Sequence, residues 1–147
     1  MAKASINTKQ NSRLSAKIET EGLKELINGL IQAGKESDVR NSFTLALVEE
    51  ANAVFARSQQ LVPVDTGVLR SSGLVSQVKT DGKTSYIEIS YGGPASGYAM
   101  IVHEGFATHA EPTQRKYLEQ PLYERAPFLS RNIGIRMKDI LMRVARG

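Results

Sequence analysis

Residues 38–72 read DVRNSFTLALVEEANAVFARSQQLVPVDTGVLRSS, and this stretch decides the fold. Its first part predicts a long amphipathic helix, because six residues recur at helical spacing and share one stripe. These residues are Phe43, Leu47, Ala51, Val54, Ser58 and Leu61, whereas Glu49, Glu50, Arg57 and Gln60 fall outside the stripe. Pro63 ends the helix, since the residue before a proline disfavours the helical conformation. Such a helix over 38–62 would be about 36 Å long and would cross a small domain.

A turn and a hairpin follow this helix. In the segment 62–72, Asp65 can accept hydrogen bonds from backbone N–H groups two or three residues ahead and so start a short helical turn. Residues 74–79 alternate as in a strand, and Asp81-Gly82 is a strong hairpin signal. The return strand is predicted over 84–91.

The flanking segments predict two more helices and one more strand. Residues 15–20 alternate and favour a strand, and Leu23 to Gly34 has helical apolar spacing. Residues 98–103 are short and apolar, either a buried strand or a helical turn. The last helix has one apolar face and carries its bases on the other. That apolar face is formed by Leu129, Ile133, Met137, Ile140 and Val144.

The predicted fold class is therefore α+β, with two to three helices packed on a small antiparallel sheet. Residues 1–14 are polar and basic and are predicted to form a flexible arm. Residues 15–147 form the single domain. Within it, the four residues Gly105, Pro112, Pro121 and Pro127 favour a long irregular loop over 104–127.

Composition excludes several classes of protein. The chain has 147 residues and no cysteine, so disulfide frameworks and thiolate sites are impossible. No apolar run indicates a signal peptide or a membrane span, so we expect synthesis in a cytosol and either retention there or exit by a route other than secretion. Residues 1–17 carry four bases and no acid, 125–147 six bases and one acid, and 18–124 nine bases and fourteen acids. The basic ends of an acidic body suit either solvated surfaces or contact with nucleic acid or with acidic partner surfaces.

Two motifs raise the question of catalysis. Asp65-Thr66-Gly67 matches the tripeptide of aspartic proteases, which need two such aspartates and could obtain them in a homodimer. The preceding long helix and the following Val68 do not suit that enzyme, so Asp65 is interpreted as a turn residue. His103-Glu104 and His109 lack the His-Glu-x-x-His spacing of a zinc site. No nucleophile elbow or phosphate loop is present, and we expect no enzyme activity, cofactor or metal.

Three blocks in order carry a resemblance to a known family. The first is the turn after the long helix, the second is Tyr98-Ala99 with Glu104, and the third is Pro127-Phe128-Leu129. The matching residues of the turn are Pro63, Asp65, Thr66, Gly67, Leu69 and Ser72. This order resembles the neck proteins of tailed bacteriophages, called tail-completion or head–tail joining proteins, over residues 20–146. Gly105 directly follows Glu104, one position earlier than in that family's pattern.

The resemblance implies a structural virion protein that is made in the bacterial cytoplasm and is located in the neck. Such proteins are small α+β subunits that close into rings, often of six copies. The ring lies between two sets of partners: the head connector, adaptor or stopper on one side, and the tail tube or the tail terminator on the other. DNA would pass through the bore without specific binding. A tail terminator or minor tail protein of the same neck is the alternative. A basic nucleic-acid-binding module and a dimeric aspartic protease are more distant ones.

The predicted subunit and partner contacts lie in the basic arm, in the apolar segment 98–103, in the 104–127 loop and on the last helix. They are Lys3, Lys9, Arg13, Tyr98, Glu104, Arg115, Lys116, Tyr117, Arg136 and Arg143.

Overall fold

The computed structural model describes residues 2–8, 14–20, 34–64, 67–81, 84–92, 96–105 and 113–147. The predicted α+β class is confirmed, with helices packed against a small antiparallel sheet. In chain order the elements are β1 (Ala2–Asn7), β2 (Leu14–Thr20), α1 (Glu36–Leu61), α2 (Val68–Ser71), β3 (Leu74–Val75), β4 (Lys79–Asp81), β5 (Thr84–Tyr91), α3 (Ser96–Glu104), α4 (Glu119–Arg125), a 3₁₀ turn (Ala126–Phe128) and α5 (Leu129–Ala145). The helix predicted from Leu23 onward lies outside the described residues.

The sheet has the order β1-β2-β5, and both β3 and β4 pair with the far side of β5. Every ladder is antiparallel. The predicted hairpin is confirmed, since Asp81 pairs with Thr84. The strand predicted over 74–79 is interrupted, because residues 76–78 leave the ladder. At this interruption the Ser76 N–H donates to the Glu88 carbonyl (2.8 Å), and the Glu88 N–H donates to Ser76 Oγ (3.0 Å).

The prediction of a flexible arm over 1–14 is wrong for residues 2–7, which form the edge strand β1. All six pair with β2, from Ala2 opposite Thr20 to Asn7 opposite Ser15. Ala2, Ala4 and Ile6 pack against the core on one face. The Ala2 N–H also donates to Ser130 Oγ (3.0 Å). Two alanines give little hydrophobic signal, so the strand depends on pairing that local sequence does not reveal.

The prediction of an irregular loop over 104–127 is also wrong in its second half. Residues 119–125 form α4, and the 3₁₀ turn continues directly from it. Pro121 favoured a loop, but it occupies the first turn of α4, where a missing N–H removes no intrahelical hydrogen bond. The sequence allowed either a buried strand or a helical turn for the apolar segment 98–103. This segment is part of helix α3.

The core lies between the sheet and helices α1 and α5. The predicted stripe of α1 is confirmed, because all six of its residues are buried. Glu50 was predicted to lie outside the stripe, yet it is also fully buried. Helix α5 buries Leu129, Ile133 and Met137. It runs antiparallel to α1, since Glu50 contacts Asn132 and Arg136 while Val39 lines the same cavity as Leu141.

Among the described residues, no helix combines the length and the apolar character that a bilayer crossing requires.

Candidate functional site

The turn that carries the resemblance joins α1 to the hairpin. Gly67 has φ 82°, a left-handed conformation that suits glycine, and it directly precedes α2. Leu69 is buried beneath the turn. The Ser72 hydroxyl donates to the Leu69 carbonyl (2.6 Å) and accepts from the Gly92 N–H (3.2 Å), which ties the turn to the end of β5. Pro63 is half-buried, and Asp65 and Thr66 lie outside the described residues, so the turn-forming role of Asp65 stays a prediction.

Behind the turn, the ring of Tyr91 meets the end of α1. The Tyr91 hydroxyl hydrogen-bonds with Ser58 Oγ (2.9 Å) and accepts from Gln59 Nε2 (3.0 Å). Burial raises the pKa of Tyr91, which therefore remains protonated. A Cβ atom on Gly73 would lie 2.5 Å from Gln59 Nε2 and 2.8 Å from the rings of both Phe55 and Tyr91. Glycine is therefore required at residue 73 by close packing rather than by backbone conformation.

A polar cluster of four residues joins α3 to α4. It consists of His103, Glu104, Lys116 and Glu119. The Lys116 ammonium contacts the carboxylates of both Glu104 and Glu119, the latter at 2.8 Å. The His103 ring is fully buried, whereas both carboxylates are partly exposed. The Lys116 N–H also donates to the His103 carbonyl (2.8 Å), so the cluster fixes the segment before α4 against α3.

The proton of His103 has a defined position. The backbone N–H of Glu119 donates to His103 Nε2 (3.2 Å), so Nε2 must be unprotonated. In the neutral ring Nδ1 therefore carries the proton and donates to Glu104 Oε1 (3.0 Å). Burial lowers the pKa of His103, and the Glu104 carboxylate opposes this only in part. A second proton on Nε2 would face the Glu119 N–H and break the link between α3 and α4.

Among the described residues, this cluster is the one group of side chains that could hold a metal ion. His103, Glu104 and Glu119 each offer a ligand atom, and these atoms lie within 4.8 Å of one another. The sequence analysis considered His103, Glu104 and His109 as ligands and rejected them on spacing; His109 lies outside the described residues. It did not reveal Glu119, which is sixteen residues away from His103. The Lys116 ammonium already contacts both carboxylates, and both ring nitrogens of His103 are engaged in hydrogen bonds. The cluster therefore has the geometry of an internal ion-pair site whose cation is a lysine.

A second polar cluster surrounds the buried carboxylate of Glu50. Arg125 donates to it through Nε (2.6 Å) and a terminal nitrogen (3.1 Å), and Arg136 Nε donates at 2.8 Å. Asn132 Nδ2 is more distant, at 3.4 Å. Burial alone would raise the pKa of Glu50, but the hydrogen bonds from Arg125 and Arg136 outweigh it and lower the pKa. One carboxylate of α1 thus holds α4 and α5 in place.

The residues predicted as interface contacts divide into three groups. Tyr117 contradicts its prediction: it is fully buried, its hydroxyl donates to the Ala99 carbonyl (2.9 Å), and its ring packs edge-on against Tyr91 and His103. Its apparent place in a loop made it seem accessible. Three other predicted contacts, Glu104, Lys116 and Arg136, form ion pairs within the chain. Glu104 pairs with Lys116, and Arg136 contacts both Glu49 (2.7 Å) and Glu50.

The remaining predicted contacts are exposed or undescribed. Lys3 is exposed on β1, Arg115 is exposed before α4, and Arg143 is exposed on α5. Tyr98 belongs to α3, but its side chain lies outside the described residues, as do Lys9 and Arg13. The structure therefore keeps three of the ten as exposed side chains, on β1, before α4 and on α5.

Sequence reasoning also missed an apolar stripe on the outer face of the last helix. Ile135 and Met142 of α5 are 52% and 44% exposed, and Phe128 of the 3₁₀ turn just before α5 is 47% exposed. The prediction assigned this face to the bases, and the seven-residue spacing was the signal that could have revealed the stripe.

Comparison with protein-family models, with curated proteins and with solved structures gives no match, so the interpretation depends on the residues and geometry described above.

Proposed function

We propose that this chain is a structural subunit of a ring at the head–tail junction of a tailed bacteriophage. In this role it would join the head connector to the tail tube in the virion neck, and DNA would pass through the bore. The observation that carries the proposal is the position of the three resembling blocks, since each lies at, or makes contacts across, a connection between elements of the fold. Residues that connect elements in this way are needed to build this particular subunit. This supports the interpretation of the three blocks as one sequence signature of the neck-protein family.

The first block is the turn between α1 and the hairpin, which Ser72 ties to β5. The second is in α3, where the Ala99 carbonyl accepts from Tyr117 and Glu104 binds Lys116. The third is the 3₁₀ turn that leads from α4 into α5, with Leu129 fully buried. These contacts give each block a part in positioning one element on the next, which a chance match to short patterns does not require.

The surface offers places where copies could meet. β1 is an edge strand of the sheet, and an edge presents backbone N–H and C=O groups that a neighbouring chain can use. Helix α4 contacts β1 and carries Tyr123, which is 48% exposed. Exposed aromatic rings are enriched where proteins associate. These features support self-assembly through the β1 side of the subunit.

The test uses the phage or prophage whose genome encodes the chain. A stop codon in its gene should leave filled heads and finished tails that do not join, and adding the purified chain to that lysate should restore infectious particles. Electron microscopy of intact particles should show a ring of copies between head and tail. Joined particles formed without the chain would refute the proposal. Free tails of variable length would instead indicate the alternative role, a tail terminator.

A further inference from the structure

The chain just before α4 is held on α3 by contacts that converge on His103. The Lys116 N–H donates to the His103 carbonyl (2.8 Å), and the Glu119 N–H donates to Nε2 of the His103 ring (3.2 Å). The Tyr117 ring packs edge-on against the same ring, with centres 5.0 Å apart, and its hydroxyl donates to the Ala99 carbonyl (2.9 Å). A change at His103 therefore acts on several of these contacts at once.

The backbone at Lys116 is held in an unfavourable conformation. Lys116 has φ 57°, and among the described residues it is the one residue other than glycine with a positive φ. The Cβ atom of such a residue crowds the backbone in the left-handed region, so the conformation persists only while surrounding contacts impose it. Loss of the contacts with α3 would let this backbone relax.

The four residues 115–118 lie between two firmer attachments. On one side the Gln114 N–H donates to the Leu61 carbonyl at the end of α1 (2.8 Å). On the other side α4 is fixed through Arg125, whose Nε donates to the buried carboxylate of Glu50 (2.6 Å). A release of 115–118 from α3 would therefore be confined to this segment and would leave both of its ends in place.

Three charged groups face the His103 ring, each from a different element. Glu104 of α3 accepts from Nδ1 (3.0 Å), Lys116 contacts the Glu104 carboxylate, and Glu119 of α4 contacts the Lys116 ammonium (2.8 Å). Although burial opposes both effects, their mutual hydrogen bond lowers the pKa of Glu104 and raises that of Lys116. Both residues therefore stay charged between pH 7.5 and pH 5, and His103 changes charge between them. Because Lys116 is the cation of this cluster, its carboxylates are not free to act as metal ligands.

We propose that residues 115–118 form a latch on α3 that opens when His103 takes up a proton. A proton on Nε2 removes the acceptor of the Glu119 N–H and sets two donors against each other, so this hydrogen bond breaks. The backbone of Lys116 then relaxes, and the latch leaves α3 while its ends stay attached. This inference goes beyond the proposed function and does not rest on it.

Opening of the latch changes the surface of the chain. Tyr117 and Leu118 are fully buried in the closed form and would be uncovered. The Tyr117 ring would also leave the ring of Tyr91, which it meets edge-on with centres 5.2 Å apart. The acid form would therefore carry exposed apolar side chains that the neutral form keeps inside.

The experiment measures amide hydrogen exchange in the purified full-length chain by NMR from pH 7.5 to pH 5, with EDTA in every buffer. Each rate is compared with that of an unstructured peptide at the same pH, which gives the protection of each amide. Protection of the Lys116 and Glu119 amides should fall about tenfold per pH unit below about pH 6.5, because opening takes up one proton. The Val62 amide, which donates to the Ser58 carbonyl (2.9 Å), should keep its protection.

Variants identify the group that takes up the proton. His103→Gln keeps an acceptor for the Glu119 N–H but binds no proton, so the protection should become independent of pH. His109→Gln is the matched control, because His103 and His109 are the two histidines of the chain, and it should behave like the unaltered chain. Glu104→Gln removes the charge that favours a protonated ring, so the ring of His103 should titrate at a lower pH. This variant keeps the test available if His103→Gln does not fold.

Two substitutions of Lys116 test the backbone strain. Lys116→Gly and Lys116→Ala both lose the ammonium group, but only glycine accepts φ 57° without a clash. The Glu119 amide should therefore be about fivefold better protected in the glycine variant than in the alanine variant.

Protection of the latch amides that does not change with pH would overturn the proposal, as would the same fall in His103→Gln as in the unaltered chain. A parallel loss of protection at Val62 would overturn it too, because the proton would then unfold the whole chain rather than open a latch. Equal protection in the two Lys116 variants would refute the relaxation of the backbone as the step that follows the proton.

Discussion

Replacing Glu50 by glutamine tests how the helices are held together. The substitution keeps the size of the side chain, removes its charge and turns an amide NH₂ group toward the donors of Arg125 or Arg136. Removing one member of a buried ion pair costs about 3–5 kcal/mol, because the remaining charge loses its partner. Here both arginine side chains are 32% exposed and can regain water, so we expect the lower end, about 3 kcal/mol. For a chain of this size that corresponds to a fall in Tm of roughly 6–12 °C.

The neighbouring Glu49→Gln substitution is the matched control. The Glu49 side chain is 47% exposed, and among the described ion pairs it contacts only the Nη1 atom of Arg136. Its removal should therefore lower the free energy of unfolding by about 0–1 kcal/mol. Urea unfolding followed by circular dichroism measures both variants at pH 7. Equal stabilities of the two variants would refute the claim that Glu50 fixes α4 and α5 to α1.

The pH dependence of this difference has a definite sign. The folded-state pKa of Glu50 is lowered, so the unfolded chain takes up its proton first as the pH falls. The stabilisation from Glu50 is complete above the ordinary glutamate pKa of about 4.3 and is lost as the pH falls through the folded value. The unaltered chain and Glu50→Gln should therefore converge in acid. A difference that is constant with pH would mean that packing, rather than charge, is responsible.

Three further changes test individual contacts, each measured as a free energy of unfolding. The pKa of His103 is lowered in the folded chain, so the stabilisation from its neutral ring is complete above about pH 6.5 and is lost as the pH falls through the folded value. His103→Gln should flatten this dependence of the unfolding free energy on pH. An unaltered dependence would contradict the neutral ring. Gly73→Ala should cost about 1–3 kcal/mol through overpacking, and a stabilised variant would contradict the close approach. Ser72→Ala should cost about 1–3 kcal/mol because the buried end of β5 loses an acceptor for the Gly92 N–H, whereas an unchanged stability would argue against that link.

The elements that the sequence predicted are those with a strong local pattern. Helix α1 follows from six residues at helical spacing and from the proline after it, and the hairpin follows from Asp81-Gly82. β1 could not be found in the same way, because its inward residues are two alanines and one isoleucine. Its stability comes from the full ladder with β2, which is a property of the folded chain.

The candidate site was harder to predict because its parts lie far apart in sequence. Glu50 is an acidic residue outside an apolar stripe, so its pattern indicated exposure. Its burial becomes possible only because Arg125 and Arg136, 75 and 86 residues later, supply opposite charge. The same holds for His103, whose buried ring needs the backbone of Glu119. No pattern within one helix reports such partners.

The basic residues of the segment 125–147 fall into two groups with different environments, which the net charge of the segment does not distinguish. Arg136, together with Arg125 just before the helix, is used inside the molecule to neutralise Glu50. Arg131 and Lys138 lie beside an exposed apolar row and pair with no described carboxylate. Asp139 is exposed on the same side of the helix and adds one acid to that surface. The net charge of the segment is therefore the sum of an internal ion-pair network and of a mixed exposed surface.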